Sequence, residues 1–254
     1  MISCAQGPHI IPRARDMSRL LLTGSEGRIG STIGPHLAEQ HDTRTADLLD
    51  GTWHTAEHIK GSLADPDLAA QACREIDTVL HLAHAPVEPD EDYVTDKDPN
   101  LRMIFALIRA AREAGCRRFI CASSVHAVAG YPEGVLVTED MAPRPDCRYG
   151  LLKATFEAAC ALEATKGDLS AFAVRIGSCH GPKQERVEHP LTYSAYLDWR
   201  DMLQLARLMI DAPDELRHGV FHGMSKVKKP LMSYDITTET LGYEPEYMFE
   251  GIPE

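Results

Sequence analysis

The chain has 254 residues, with 26 Lys and Arg against 38 Asp and Glu, giving a formal net charge of −12 at pH 7. That balance excludes the clustered basic surface on which nucleic-acid binding depends, and 44% hydrophobic with 25% charged residues is a globular rather than a disordered composition. No apolar run approaches the roughly 20 residues of a membrane-spanning helix, and the N-terminus lacks the basic-then-apolar order of a signal peptide. The sequence therefore predicts a soluble, cytoplasmic protein without a membrane partner, built as one α/β domain or one plus a small lobe.

Residues 1–17 read as a loose leader, without periodicity and with Pro8 and Pro12. Arg19 to Thr23 is a short apolar strand that runs into a glycine cluster, and Ile29 to Gln40 carries a helical pattern. The alternation continues with a strand at Asp42 to Ala46, a helix near Asp67 to Arg74 and a buried strand at Thr78 to Ala83. A long helix from Pro99 to Ala114, a strand at Arg118 to Ala122, an amphipathic helix from Tyr149 to Lys166 and a strand at Ser170 to Arg175 complete the series. Such alternation predicts βαβ units in a Rossmann-type, doubly wound parallel sheet over residues 18–179. From His180 the pattern loosens, with one helix at Trp199 to Ile210, and residues 180–254 read as a small substrate-binding and C-terminal region. Seven cysteines, odd in number and without a C-x-x-C pair, fit reduced thiols better than disulfides or zinc.

Thr23-Gly24-Ser25-Glu26-Gly27-Arg28-Ile29-Gly30 spells G-x-x-G-x-x-G between the first strand and the first helix. Glycines there let the backbone turn tightly and approach a pyrophosphate, while the helix N-terminus offers N–H groups to the anion. Asp47, 17 positions after Gly30 at the end of the second strand, would accept hydrogen bonds from the adenosine ribose hydroxyls. A carboxylate there repels a 2′-phosphate, so NAD is the expected cofactor, with Arg28 and Arg44 as residues that could soften the preference.

Tyr149 and Lys153 stand four apart, hence on one helical face, where an ammonium would favour tyrosinate and bring the phenol nearer to working pH as a general base. The glycine loop, the alternating elements, Asn100 at the start of the long helix, Ser123-Ser124 after a buried strand and Tyr-x-x-x-Lys occur in the order of a known pattern. Together they resemble the extended short-chain dehydrogenase/reductases, the NAD-dependent epimerase/dehydratase group, over about residues 18 to 250. The resemblance implies that Ser124, Tyr149 and Lys153 are catalytic, with Lys153 also holding the nicotinamide ribose and Asn100 a water in the proton relay. It implies cofactor contacts at Gly24, Gly27, Arg28, Ile29, Gly30, Asp47, Leu48, Leu63, Leu82, Ala83, His84, Asn100, Tyr149, Lys153 and Ile176.

Several runs look like the uronate dehydrogenases of that group: Ala122 to His126, Arg144-Pro145-Asp146 before Tyr149-Gly150, Val174 to Cys179, and Leu241 to Pro245. Two positions depart from that pattern, Val125 in place of Asn and Pro86 in place of Ser, and the loop carrying Arg186 is longer. The implied reaction oxidises the anomeric carbon of a hexuronate to an aldarolactone. Ser124, His126, Tyr149 and Ser178 would face the sugar, and Arg186 would grip its carboxylate. A nucleotide-sugar epimerase with tightly bound NAD and a non-catalytic dinucleotide-binding sensor are the alternatives. The resemblance also implies a homo-oligomer. His180 is a further substrate candidate, whereas His81-x-x-His84 and His54-x-x-x-His58 read as structural, cofactor-lining or solvated rather than metal-binding. In so acidic a chain the positive potential for anions is expected at the loop helix, Lys153, Arg175 and Arg186.

Overall fold

The computed structural model describes residues 18–53, 57–86, 96–167, 169–182 and 190–249. The leader, His54 and Arg186 lie outside the described residues. The strands β1 (Arg19–Thr23), β2 (Asp42–Asp47), β3 (Glu57–Lys60), β4 (Thr78–His81), β5 (Arg118–Ser124), β6 (Ser170–Ile176) and β9 (His218–Gly223) form one sheet in the order β3-β2-β1-β4-β5-β6-β9. Every pairing in it is parallel. The strand order reverses direction between β1 and β4, which in an open α/β sheet puts the ligand crevice at the carboxyl ends of those strands. This is the Rossmann-type sheet that the alternation predicts.

Period-two alternation decides which layer each side chain joins. Leu21, Val79, Phe119 and Ala171 face the layer of α2 (Pro66–Cys73), α3 (Pro99–Glu113) and α4 (Arg148–Lys166). Leu20, Leu22, Leu80, Ile120 and Phe172 face α1 (Gly30–Ala38) and α6 (Trp199–Asp211). Burial on both faces explains why the central strands read as unbroken apolar runs.

The helix ends follow local chemistry. Asp65 and Asp98 accept from the N–H of Asp67 and Asn100, each followed by a proline whose missing N–H costs nothing in a first turn. Cys147 caps α4 through Sγ, and Gly167 closes that helix in the left-handed region at φ 101°. Arg118, fully buried on β5, donates to the carbonyls of Met209, Ile210, Ala212 and Pro213, neutralising the last turn of α6.

The sheet does not stop at residue 179. β9 comes from within 180–254 and pairs with β6, and α6 covers the face shared with α1. The small remainder holds β7 (Ser178–His180) paired with β8 (Tyr196–Asp198), α5 (Pro190–Ser194) and α7 (Asp235–Leu241). Among the described residues, no helix is long and apolar enough to cross a membrane.

Candidate active site

Two cavities of about 400 and 380 Å³ lie at the carboxyl ends of the strands and share Arg28, Ile29, Leu82 and His84. They form one cleft with two ends.

At the first end, Gly24 has φ +70°, and a Cβ there would fall 2.5 Å from Ala83 N. A Cβ on Gly30 would come within 2.1 Å of Gly24 O. The loop can therefore close only with bare backbone at both positions. Gly27 lines the same cavity, and the N–H groups of Arg28 and Ile29 have no partner among the described residues. Asp47 reaches this wall from the end of β2, its carboxylate accepting from Glu26 N at 3.0 Å and Leu49 N at 3.1 Å. Leu48, Leu63, Ala83 and Met103 supply apolar walls. A cradle without Cβ atoms, with unpaired N–H groups and a carboxylate beside it, fits an adenosine dinucleotide. Gly30→Ala should therefore lower NAD affinity by at least about tenfold, as the Cβ forces the loop open; a fluorescence titration showing parental affinity would contradict this.

Asn100 stands apart from the other expected cofactor residues. It is fully buried and lines neither cavity, because its amide is engaged with Ala85 at both ends: Oδ1 accepts from Ala85 N at 2.7 Å and Nδ2 donates to Ala85 O at 3.1 Å. The cavity wall at Ala85 is thus fixed by Asn100 from behind.

At the second end the cavity is lined by Ser124, His126, Tyr149, Lys153, Ile176, Ser178 and His180, with Leu191 and Thr192 from α5. β5 delivers Ser124 at its last residue, and α4 delivers Tyr149 and Lys153 in its first two turns. Ser123 is occupied, donating to Glu157 at 2.6 Å, which leaves Ser124 as the hydroxyl facing the phenol. Lys153 is almost wholly buried and donates to Ala122 O at 2.8 Å. With no carboxylate beside it among the described residues, desolvation lowers its pKa to about 8.

The Tyr149 phenol departs from expectation. Burial raises its pKa, and a hydrogen bond with Ser124 and the charge of Arg28 oppose that rise without overcoming it. The lowering by Lys153 that the i, i+4 spacing suggests is not what dominates here, since the ammonium lies 5.5 Å over the ring and is bonded to Ala122 O. His84 and His126 meet the Tyr149 ring edge-on, with centroids at 5.0 and 5.7 Å. Desolvation, with the charge of Lys153, lowers the His84 pKa to about 4 although the residue remains exposed to solvent. His81 is a buried strut, bonded to Thr23 Oγ1 at 2.7 Å. Ser178 Oγ lies 3.0 Å from His180 Nε2 and 3.3 Å from Thr192 Oγ1, a polar floor to which Thr192 comes from α5 without any sequence motif to mark it.

Two arginines nominated from the sequence are spent on structure. Arg175 is buried, donating to both Glu157 oxygens at 2.9 Å and to His222 Nε2 at 3.2 Å, so it contributes no accessible positive charge. His222 is neutral there, its pKa pushed to about 3 by burial and by Arg175. Arg44 pairs with Glu57 and donates to the carbonyls of Ala72 and Arg74, so it does not stand beside Asp47. Among the described residues, the cations of the second cavity are Lys153 and Arg28, and Arg28 is exposed with no side-chain hydrogen bond.

The chain is similar in sequence and fold to known proteins. The chain is 29% identical to the uronate dehydrogenase of Pseudomonas syringae pv. tomato over 216 residues, covering 83% of this chain and 76% of that one. It is 28% identical to the NAD-dependent glucose-6-phosphate dehydrogenase of Haloferax volcanii over 262 residues, covering 92% and 97%. The crystal structure of glucuronic acid dehydrogenase from Chromohalobacter salexigens superposes with a TM-score of 0.81 at 29% identity, covering 92% of this chain and 86% of that one. Residues 20–197 match the model of the NAD dependent epimerase/dehydratase family. With more than half its length matched and the dinucleotide cradle in place, the chain belongs to the NAD dependent epimerase/dehydratase family, whose cofactor is NAD.

Proposed function

We propose that the chain is an NAD-dependent sugar dehydrogenase that oxidises the anomeric hydroxyl of a hexuronate to an aldarolactone. The observation that carries this reading is the single cleft in which the glycine cradle and Asp47 occupy one end and Ser124, Tyr149 and Lys153 the other. NAD, when bound, supplies the carbon that accepts a hydride and a positive charge on its ring. Ser124 and Tyr149 would hold the substrate hydroxyl, and Tyr149 in its phenolate form, which the positive ring of bound NAD would favour against the burial that raises its pKa, would take the hydroxyl proton as the carbon is oxidised. Lys153 ties α4 to β5 through Ala122 O and would hold the nicotinamide ribose with its remaining N–H donors. The Ser178, His180 and Thr192 group binds sugar hydroxyls, and His126 closes the wall beside Tyr149.

An anionic sugar needs a cation in this cavity, and Arg28 has a guanidinium to give it. Arg186 remains a proposed carboxylate ligand from the loop outside the described residues. The same need would be met by a phosphorylated sugar, which the Haloferax relative's activity brings into the comparison. The test is NADH formation with galacturonate, glucuronate, glucose 6-phosphate and neutral aldoses, followed by identification of the product. Net NADH with a hexuronate and recovery of the lactone support the reading. Turnover of glucose 6-phosphate alone moves the substrate to a sugar phosphate, isomerised nucleotide sugar without net NADH indicates an epimerase, and cofactor binding without turnover indicates a sensor.

Asp47→Ala should weaken NAD binding by about tenfold or more, the value of hydrogen bonds to a charged acceptor, and should bring NADP closer to NAD. Unchanged dissociation constants for both cofactors would remove Asp47 from the ribose site.

A further inference from the structure

His126, a wall of the second cavity, meets Asp146 and Cys147 beside it. His126 Nδ1 lies 3.0 Å from each Asp146 carboxylate oxygen and 3.8 Å from Cys147 Sγ, and one ligand atom from each residue falls within 4.8 Å of the others. We propose that these three residues form a binding site for a soft divalent metal ion such as zinc, and that its occupancy inhibits the enzyme.

Four observations support the site. Metal bonds of about 2.3 Å to sulfur and about 2.1 Å to nitrogen or oxygen place tetrahedral ligand atoms roughly 3.3–3.6 Å apart; the two separations from His126 Nδ1, at 3.0 and 3.8 Å, bracket that range, and all three ligand atoms lie within 4.8 Å. The donors are of the right chemistry, since a thiolate and a carboxylate neutralise a divalent charge and an imidazole completes a set that soft or borderline metals favour over calcium or magnesium. The backbone fixes the ligands before any metal arrives. Arg144 N donates to Ala127 O at 2.9 Å, Gly130 N to Arg144 O at 2.8 Å and Asp146 N to His126 O at 3.4 Å, so the turn after β5 and the segment before α4 are laced together. An entry path exists because Cys147 is exposed and the His126 and Asp146 side chains are about one-third exposed.

Occupancy would release the proton of the Cys147 thiol and take His126 as the neutral tautomer protonated at Nε2, whose free Nδ1 lone pair binds the metal, leaving a fourth position for water or a substrate oxygen. It would also clamp His126, a cavity wall in edge contact with Tyr149, to the residue that caps the helix carrying Tyr149. The other cysteines among the described residues (Cys73, Cys116, Cys121, Cys160 and Cys179) are buried, which singles out Cys147 as the accessible sulfur.

The test uses the untagged, reduced full chain with cobalt(II) as a spectroscopic substitute for zinc. One equivalent should produce the near-ultraviolet sulfur-to-cobalt charge-transfer absorption, Cys147→Ser should abolish it while retaining a capping oxygen for α4, and Asp146→Asn should weaken cobalt binding at least tenfold. Zinc should inhibit NADH formation at concentrations at least tenfold lower in the parent than in Cys147→Ser. Absence of the band in the parent, or its persistence in Cys147→Ser, would overturn the site. A band without the difference in zinc inhibition would overturn its inhibitory role. The absorption requires no turnover, so its failure is distinct from failure of the dehydrogenase reading.

Discussion

Tyr149→Phe should lower kcat by about a thousandfold while leaving NAD affinity within about threefold of the parent, the scale of loss when a positioned acid-base group is removed. The phenol is the one hydroxyl of α4 that reaches both Ser124 and the open cavity, and the groups beside it are turned elsewhere. Lys153 is turned to Ala122 O, and the His84 and His126 rings meet Tyr149 by their edges. Phenylalanine keeps the ring, and with it those packing contacts, so only the oxygen is lost. The cofactor cradle at Gly24, Gly27 and Gly30 belongs to another part of the cleft and should not respond. Steady-state kinetics on the preferred sugar, with NAD binding measured in parallel, would check both halves. A variant retaining a tenth or more of parental kcat would take the acid-base role away from Tyr149.

The second large effect concerns Lys153, where function and stability pull in opposite directions. Lys153→Met should abolish turnover yet make the chain about 2 kcal/mol more stable at pH 7. Its pKa falls from 10.5 to about 8 in the fold, because burial disfavours the ammonium. At roughly 1.4 kcal/mol per pKa unit, carrying the charge costs about 3 kcal/mol, from which the loss of the donor to Ala122 O subtracts about 1. The folded pKa lies below the unfolded one, so the penalty is complete below about pH 8. Between about pH 8 and 10.5 the unfolded chain binds more protons, and the stability of the parent rises with pH. The advantage of Lys153→Met should therefore be largest at pH 7 and shrink towards pH 10. Denaturant unfolding at both pH values checks it; a methionine variant less stable than the parent at pH 7 would contradict the desolvation account.

What could be read from the sequence was what is encoded locally. Gly24 and Gly30 are constrained by a turn made of their own neighbours, and Tyr149 and Lys153 by a single helical period, so motif and geometry agree. β9 has no strand signature, because His218-Gly-Val-Phe-His-Gly223 offers two glycines and two histidines instead of an apolar run, and its partner β6 lies some 47 positions earlier in register. β3 is four residues with charged ends, too short to show a period. The arginines failed for a different reason. Nothing adjacent to Arg175 or Arg44 reveals that Glu157 and Glu57 will neutralise them, since pairing across elements is a property of the fold. The direction of the Tyr149 shift is likewise set by desolvation in a cleft that exists only once β5, α4 and the segment after β6 have met. The same holds for the meeting of His126 with Asp146 and Cys147, which lie 20 and 21 positions apart from it in the chain.

The most direct measurement of the proposed chemistry follows a labelled hydrogen. With a hexuronate deuterated at C1 and unlabelled NAD, the deuterium should appear at C4 of the reduced nicotinamide, seen by NMR, while the sugar is recovered as the lactone. Deuterium remaining on the sugar while another position is oxidised or epimerised, or no transfer from any hexuronate, would contradict it.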